Sequence, residues 1–274
     1  MIRLAHQQWG SGPDAVLIHG LGASRAFWFP RLAMSLAATH RVTIYDLRGH
    51  GYSERPASGY RVSDHADDLL GLLDELRIER AALIGHSLGG SVAFELALRA
   101  PGRVSHLALL DSRIQRLQPT MCLREVEPLS AYEQQVAQRA GGDWENETEV
   151  GLRFIEAAAR LMLAAPAEGL RDEFTPFGEG RGARRAAKQF VDLLDQTSLP
   201  QDFPQPGAEV AEYAKARMPT LLLYAQPSRA LRSAEVLAQA LPQATSQQLD
   251  GAGHFFPITH PERTAAAVCG LLAR

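Results

Sequence analysis

Short β-favouring apolar runs alternate with longer helical patterns along most of this chain. That alternation constrains the fold more than any other feature, because it demands a mostly parallel sheet with helices on both faces. The spacing predicts strands over 15–19, 41–46, 81–85, 104–110, 220–225 and 244–249, and helices over 27–38, 64–76, 88–100, 231–241 and 262–272. Runs such as Leu107-Ala108-Leu109-Leu110 and Leu221-Leu222-Leu223-Tyr224 lack polar alternation, as strands buried on both faces do. Pro101-Gly102 closes the third helix and Pro261 opens the last, while Ser63 ahead of Asp64 is a candidate start for the second.

The rhythm breaks between 112 and 218, where no strand pattern appears and Ala, Glu and Arg dominate. We read 1–111 and 219–274 as one α/β core and 112–218 as an inserted helical cap. The prolines within 199–207 predict an extended connector at the exit of that insertion. Trp144, Phe154, Leu161, Met162, Phe174, Phe177 and Phe190 are expected chiefly to form the cap's own core.

Composition narrows the partners. With 46% apolar and 22% charged residues, 274 residues can bury a full core, and a formal charge of −3 gives no electrostatic reason to bind nucleic acid or an anionic membrane. Cys122 and Cys269 are far apart and outside any Cys/His spacing, so neither disulfide framework nor zinc site is expected. No run approaches the ~20 apolar residues of a membrane span, and the N-terminus lacks a basic-then-apolar leader pattern, which predicts a cytoplasmic location.

The chemistry is concentrated in Gly85-His86-Ser87-Leu88-Gly89-Gly90, directly after one predicted strand and before a predicted helix. A serine there sits on a tight turn, its hydroxyl raised above the sheet, with the helix N-terminus offering a free N–H and a positive dipole to a developing oxyanion. A glycine-rich turn whose serine merely caps the helix is the plainer alternative.

Taken with the pieces that follow in order, this segment resembles the α/β-hydrolase family over nearly the whole chain. Val16-Leu17-Ile18-His19-Gly20-Leu21-Gly22 resembles the family's early HG loop, and the resemblance implies that the N–H groups of Leu21 and Leu88 form the oxyanion hole. Asp46-Leu47-Arg48-Gly49-His50-Gly51-Tyr52-Ser53 is similar to a structural loop of the family, which assigns His50 to support or pocket rim. Gly251-Ala252-Gly253-His254-Phe255 corresponds to the late histidine, so His254 is the expected base. His19 is expected to support the oxyanion loop.

Members of the family commonly carry the acid after the strand that here is 220–225, yet 226–233 hold no carboxylate and Ser228 stands near that position. Asp111 ends the strand before the insertion, a place from which some members draw the acid. The expected catalytic set is therefore Ser87, His254 and Asp111. Phe27, Trp28, His86 and Phe255 are candidate pocket walls, and Arg113, Arg116 and Arg124 are candidate anion holders or plain solvated charges.

The resemblance implies no cofactor and no metal. It implies a small-molecule acyl substrate, either an ester or a thioester that a carrier could present. Carbon–carbon bond hydrolysis, lyase or cyclase chemistry, and a non-catalytic binding role on the same fold stay open, as does the oligomeric state.

Overall fold

The computed structural model describes residues 2–29, 31–125, 129–164, 172, 175–178 and 180–274. Seven strands form one sheet: β1 (His6–Trp9), β2 (Asp14–Ile18), β3 (Arg41–Tyr45), β4 (Ala81–His86), β5 (Val104–Leu110), β6 (Thr220–Ala225) and β7 (Ala244–Leu249), in the spatial order β1-β3-β2-β4-β5-β6-β7. Every neighbouring pair is parallel except β1 with β3. β1 escapes the sequence reading because His-Gln-Gln-Trp is a half-exposed edge strand without an apolar run.

The strands are flanked by α1 (Arg31–Leu36), α2 (Val62–Glu75) and α3 (Leu88–Arg99). Between β5 and β6 lie α4 (Ala131–Ala140), α5 (Val150–Ala164), α6 (Gly180–Gln196) and α7 (Leu199–Asp202), and α8 (Leu231–Ala240), α9 (Phe256–Thr259) and α10 (Pro261–Leu272) complete the chain. Alternate residues of each strand feed opposite faces. Val16, Ile18, Leu83, Leu107, Leu109 and Leu222 join α2, α3 and α8 in one apolar cluster, while Ala15, Leu17, Ile84, Ala108, Leu110 and Leu221 join α1 and α10 in the other. Each fully buried Leu or Ile contributes about 1.5–3 kcal/mol, which holds the sheet as a rigid platform.

Three boundaries differ from the sequence reading. The first helix is split: a 3-10 turn spans Arg25–Trp28, Phe29 is extended (φ −97°, ψ 144°), and α1 starts at Arg31. Phe29 precedes a proline in the sequence, and the residue before proline is driven from helical to extended backbone. α2 is capped at Arg61 rather than Ser63, with the Asp64 carboxylate accepting the Arg61 N–H at 2.9 Å. Residues 199–202 form α7 instead of an extended connector, since proline is tolerated in a first helical turn.

The helices between β5 and β6 have an apolar cluster of their own, built on Phe154, Ala158, Phe177, Ala187, Phe190 and Leu193 and resting on Tyr60 and Leu21. Trp144, Leu161 and Met162 pack against it partly buried; Phe174 lies outside the described residues. The two ends of the segment, through Ile114 and through Tyr213, Ala216 and Met218, pack instead into the main core. Among the described residues no helix is long and apolar enough to cross a membrane.

Register decides where chemistry can gather. β2 pairs with β3 on one side and β4 on the other, so successive connections leave in opposite directions and open a crevice at the strands' C-terminal ends. Ile18 lies beside Gly85, His86 beside Leu110, Leu110 beside Leu223, and Ala225 beside Leu249. The residues that follow β2, β4, β5, β6 and β7 therefore emerge along one edge. α3 presses so closely on β2 that a Cβ at Gly89 would fall on the carbonyl oxygens of Ile18 and His19. Gly89→Ala is expected to cost at least ~3 kcal/mol in urea denaturation; a cost under about 1 kcal/mol would show that α3 does not sit this tightly.

Candidate active site

Ser87 links β4 to α3 with φ 54° and ψ −123°, a backbone strained for a residue with a side chain. The turn is held because Ser87 N–H donates to the Leu110 carbonyl at 2.9 Å and the Ser87 carbonyl accepts from Gly90 at 3.0 Å. A side chain at Gly85 would strike the Gly89 carbonyl, so the turn closes only with glycine there.

Leu88 is the first residue of α3 and Leu21 lies in the loop after β2. Among the described residues neither N–H donates to a protein acceptor. The peptide preceding Leu21 is fixed by its carbonyl, because Gly20 O accepts from His19 Nδ1 (2.8 Å) and from Ala23 N–H (3.3 Å). In a trans peptide the Leu21 N–H points opposite to that carbonyl, so its direction is fixed too.

Three histidines serve as braces. His19 Nε2 accepts from Leu47 N–H at 3.1 Å while Nδ1–H donates to Gly20. His50 donates through Nδ1 to the Arg48 carbonyl (2.8 Å) and accepts the Gly22 N–H at Nε2 (3.2 Å), which spends both ring nitrogens on holding the loop. His86 donates from Nε2 to the carbonyl of His254 at 2.8 Å and stacks on Phe27 with ring centroids 4.8 Å apart. Burial pushes His19 down to about 4 and, with neighbouring imidazoles adding to it, His50 and His86 down to about 3. These rings are neutral near pH 7.

His254, in the loop between β7 and α9, is part-exposed and donates from Nδ1 to Asp111 Oδ1 at 3.1 Å. Asp111 follows β5 with φ 49° and is buried. Its Oδ1 also accepts the Ser228 hydroxyl at 2.6 Å, and its Oδ2 accepts the Ala225 N–H at 2.9 Å. Burial would raise its proton affinity, but the His254 bond and charge, followed by Ser228 and Ala225, outweigh this and hold the carboxyl below the usual range. Asp111 thus reaches His254 although the loop after β6 carries no carboxylate.

Ser87, Asp111 and His254 line one cavity of about 110 Å³, walled by Leu21, Phe255, Met121, Phe154, Ile155 and Phe203. Of the residues expected as walls, Phe255 lies here and Phe27 faces a neighbouring groove of about 400 Å³ on the far side of the Leu21-Gly22 turn. Trp28 and His86 line neither cavity; both are 1% exposed, Trp28 within the core beneath α1 and His86 behind the His254 loop, so their expected role as pocket walls is corrected to one of support.

Two ion pairs border the cavity, one within the segment between β5 and β6 and one joining that segment to the core. Arg113 holds Glu149 through two hydrogen bonds (2.6 and 2.8 Å), and Arg229 holds Glu133 of α4 likewise (2.6 and 2.5 Å). Arg113 also donates to the carbonyls of Gln118 and Pro119, and Arg116 pairs with Glu209, so two of the three candidate anion-holding arginines are already engaged; Arg124 is exposed. The sequence reading missed Glu133, Arg229 and the task of Ser228, since partners 96 and 117 positions apart leave no local signal. Among the described residues no group of His, Cys, Asp or Glu could hold a metal ion.

Comparison with known proteins gives the family and the fold. Residues 16–261 match the family described as the alpha/beta hydrolase fold. The chain is 44% identical over 106 residues to the 2-hydroxymuconate semialdehyde hydrolase of Pseudomonas sp. (strain CF600), covering 38% of each chain, and 28% identical over 274 residues to the 2-(acetamidomethylene)succinate hydrolase of Mesorhizobium japonicum, covering 99% of this chain and 92% of that one. The first curated relatives are matched over only about 38% of their own length. The enol-lactonase of Burkholderia xenovorans LB400 superposes with a TM-score of 0.71 at 24% identity, over 100% of this chain and 97% of that one, a likeness of fold.

The buried neutral histidines carry a consequence for acid stability. Their folded pKa values lie below the unfolded value near 6.5, so the unfolded chain binds more protons as pH falls. Their stabilisation is complete above about pH 6.5 and is withdrawn between there and pH 3–4, each ring costing up to about 1.4 kcal/mol per pH unit. Urea unfolding followed by circular dichroism is expected to show stability falling steeply below about pH 6, and a flat profile from about pH 7 to about pH 5 would contradict it.

Proposed function

Because the chain belongs to the α/β-hydrolase fold family, we propose that it is a serine hydrolase that cleaves a small to medium ester or thioester through an acyl-enzyme on Ser87. The observation that carries this reading is the shared cavity of Ser87, His254 and Asp111, with His254 Nδ1 committed to Asp111. That commitment leaves Nε2 as the only ring nitrogen able to take the serine proton. Ser87 Oγ attacks the carbonyl carbon as its proton passes to Nε2, and the N–H groups of Leu21 and Leu88 receive the oxyanion. Collapse breaks the bond to the alcohol or thiol, which leaves with the proton from His254. Water then repeats the sequence on the acyl-enzyme and releases the acid.

Size and charge point to a short, uncharged acyl group. A cavity of about 110 Å³ lies below the ~300–1,000 Å³ usual for drug-sized ligands, and its arginines are neutralised by Glu133 and Glu149. Displacing either glutamate with a substrate carboxylate would leave a buried charge unpaired. The segment bearing Glu133 and Glu149 then acts as a cap over the cavity. Cys122 and Cys269 are not joined in a disulfide, which suits a reducing cytoplasm.

A second reading, hydrolysis of a carbon–carbon bond, is favoured by the likeness to the protein named 2-hydroxymuconate semialdehyde hydrolase. It uses the same serine and histidine on a different substrate. A fluorophosphonate probe is expected to label the protein but not Ser87→Ala, and p-nitrophenyl esters of graded length are expected to turn over fastest at short acyl chains, with Ser87→Ala slower by ~10⁴-fold or more. Equal labelling of Ser87→Ala would refute the nucleophile. Labelling without turnover of any ester or thioester would favour the carbon–carbon reading.

A further inference from the structure

Ser228 stands where the sequence lacks the customary carboxylate, and its surroundings give it a defined task. It is buried, and its Oγ accepts the Ala230 N–H at 3.0 Å while lying 2.6 Å from Asp111 Oδ1. An amide N–H can only donate and an ionised carboxylate can only accept, so the Ser228 proton must point at Asp111. The same oxygen receives His254 Nδ1–H at the longer distance of 3.1 Å. We infer that Ser228 is a positioning residue which, by sharing Asp111 Oδ1 with His254, limits how strongly that carboxylate holds the protonated imidazole. This rests on the proposed reading that Ser87, His254 and Asp111 react as one unit.

The reasoning is electrostatic. In a buried site each donor to a carboxylate disperses charge that would otherwise act on the next donor. Removing the Ser228 hydroxyl leaves Asp111 with Ala225 N–H on Oδ2 and His254 alone on Oδ1. The full charge of Oδ1 then falls on the imidazolium, which the carboxylate holds more strongly than in the wild type. Other groups around His254 are unchanged by the substitution: His86 from β4 is neutral and 4.7 Å away between ring centroids, and the Arg113–Glu149 and Arg229–Glu133 pairs are internally compensated. The Arg229 carbonyl stays tied to Gln118 at 2.8 Å, which keeps the loop in place.

The test uses the full chain and two probes, the rate of Ser87 labelling by a fluorophosphonate and kcat/KM for p-nitrophenyl acetate, each measured from about pH 5 to about pH 9. In Ser228→Ala the acid limb is expected to move up by about half a pH unit, with the plateau reduced less than about tenfold. Ser228→Thr, which keeps the hydroxyl, is expected to restore the wild-type limb. Thermal melts establish folding, and if Ser228→Ala does not fold, Ser228→Cys, with its weaker donor, supplies the shifted limb. An acid limb that stays put or moves down in the folded variant overturns the inference. Asp111→Asn separates the two levels: a slow Asp111→Asn beside an unshifted Ser228→Ala sinks only this inference, whereas an Asp111→Asn of near wild-type rate sinks the catalytic reading beneath it.

Discussion

An imidazole on a loop has no direction of its own, and here a buried carboxylate supplies it. The 3.1 Å bond from His254 Nδ1 to Asp111 Oδ1 ties the loop after β7 to the end of β5. It also assigns the tautomer, leaving Nε2 as the acceptor nitrogen of a ring that lines the same cavity as Ser87. Every other feature of the proposed site depends on that orientation. A raised serine and two free N–H groups would perform no proton transfer beside a misdirected ring.

The cost of burying Asp111 is met by geometry that the sheet supplies. Parallel register lays the end of β6 beside the end of β5, where the Leu223 carbonyl accepts the Asp111 N–H at 2.9 Å and the Ala225 N–H donates to the Asp111 carboxylate as it leaves the strand. The same logic governs the flanking histidines. They stay neutral because burial penalises their charged form; His19 and His50 spend both ring nitrogens on carbonyl and amide groups of the HG loop and the His50 loop, and His86 spends Nε2 on the His254 carbonyl. The two ion pairs that border the cavity are each internally compensated, so they add no net charge beside Ser87, His254 and Asp111.

Much of this was legible in the sequence because it is local. The strand–turn–helix at Gly85 to Gly90 needs glycine for close packing, and the central strands are apolar on both faces, so pattern and structure coincide. What escaped is set by contacts distant in sequence or by single backbone rules. β1 is a polar edge strand defined only by its pairing with β3. Phe29 breaks the first helix because of its neighbour in sequence. Trp28 and His86 looked like pocket walls from their nearness to the motifs, yet side-chain direction buries both. Asp111 could be nominated from its strand end, whereas the bonds from Ser228 and Ala225 that hold it arise only when β6 is laid beside β5.

The orientation of His254 by Asp111 is tested most directly by proton NMR of the low-field region, where an imidazole N–H held by a buried carboxylate resonates apart from other protons. The account predicts such a signal in the wild type and in Ser87→Ala, and its loss in both His254→Ala and Asp111→Asn. A low-field signal that survives Asp111→Asn unchanged, or its absence from a folded wild-type protein, would contradict the account.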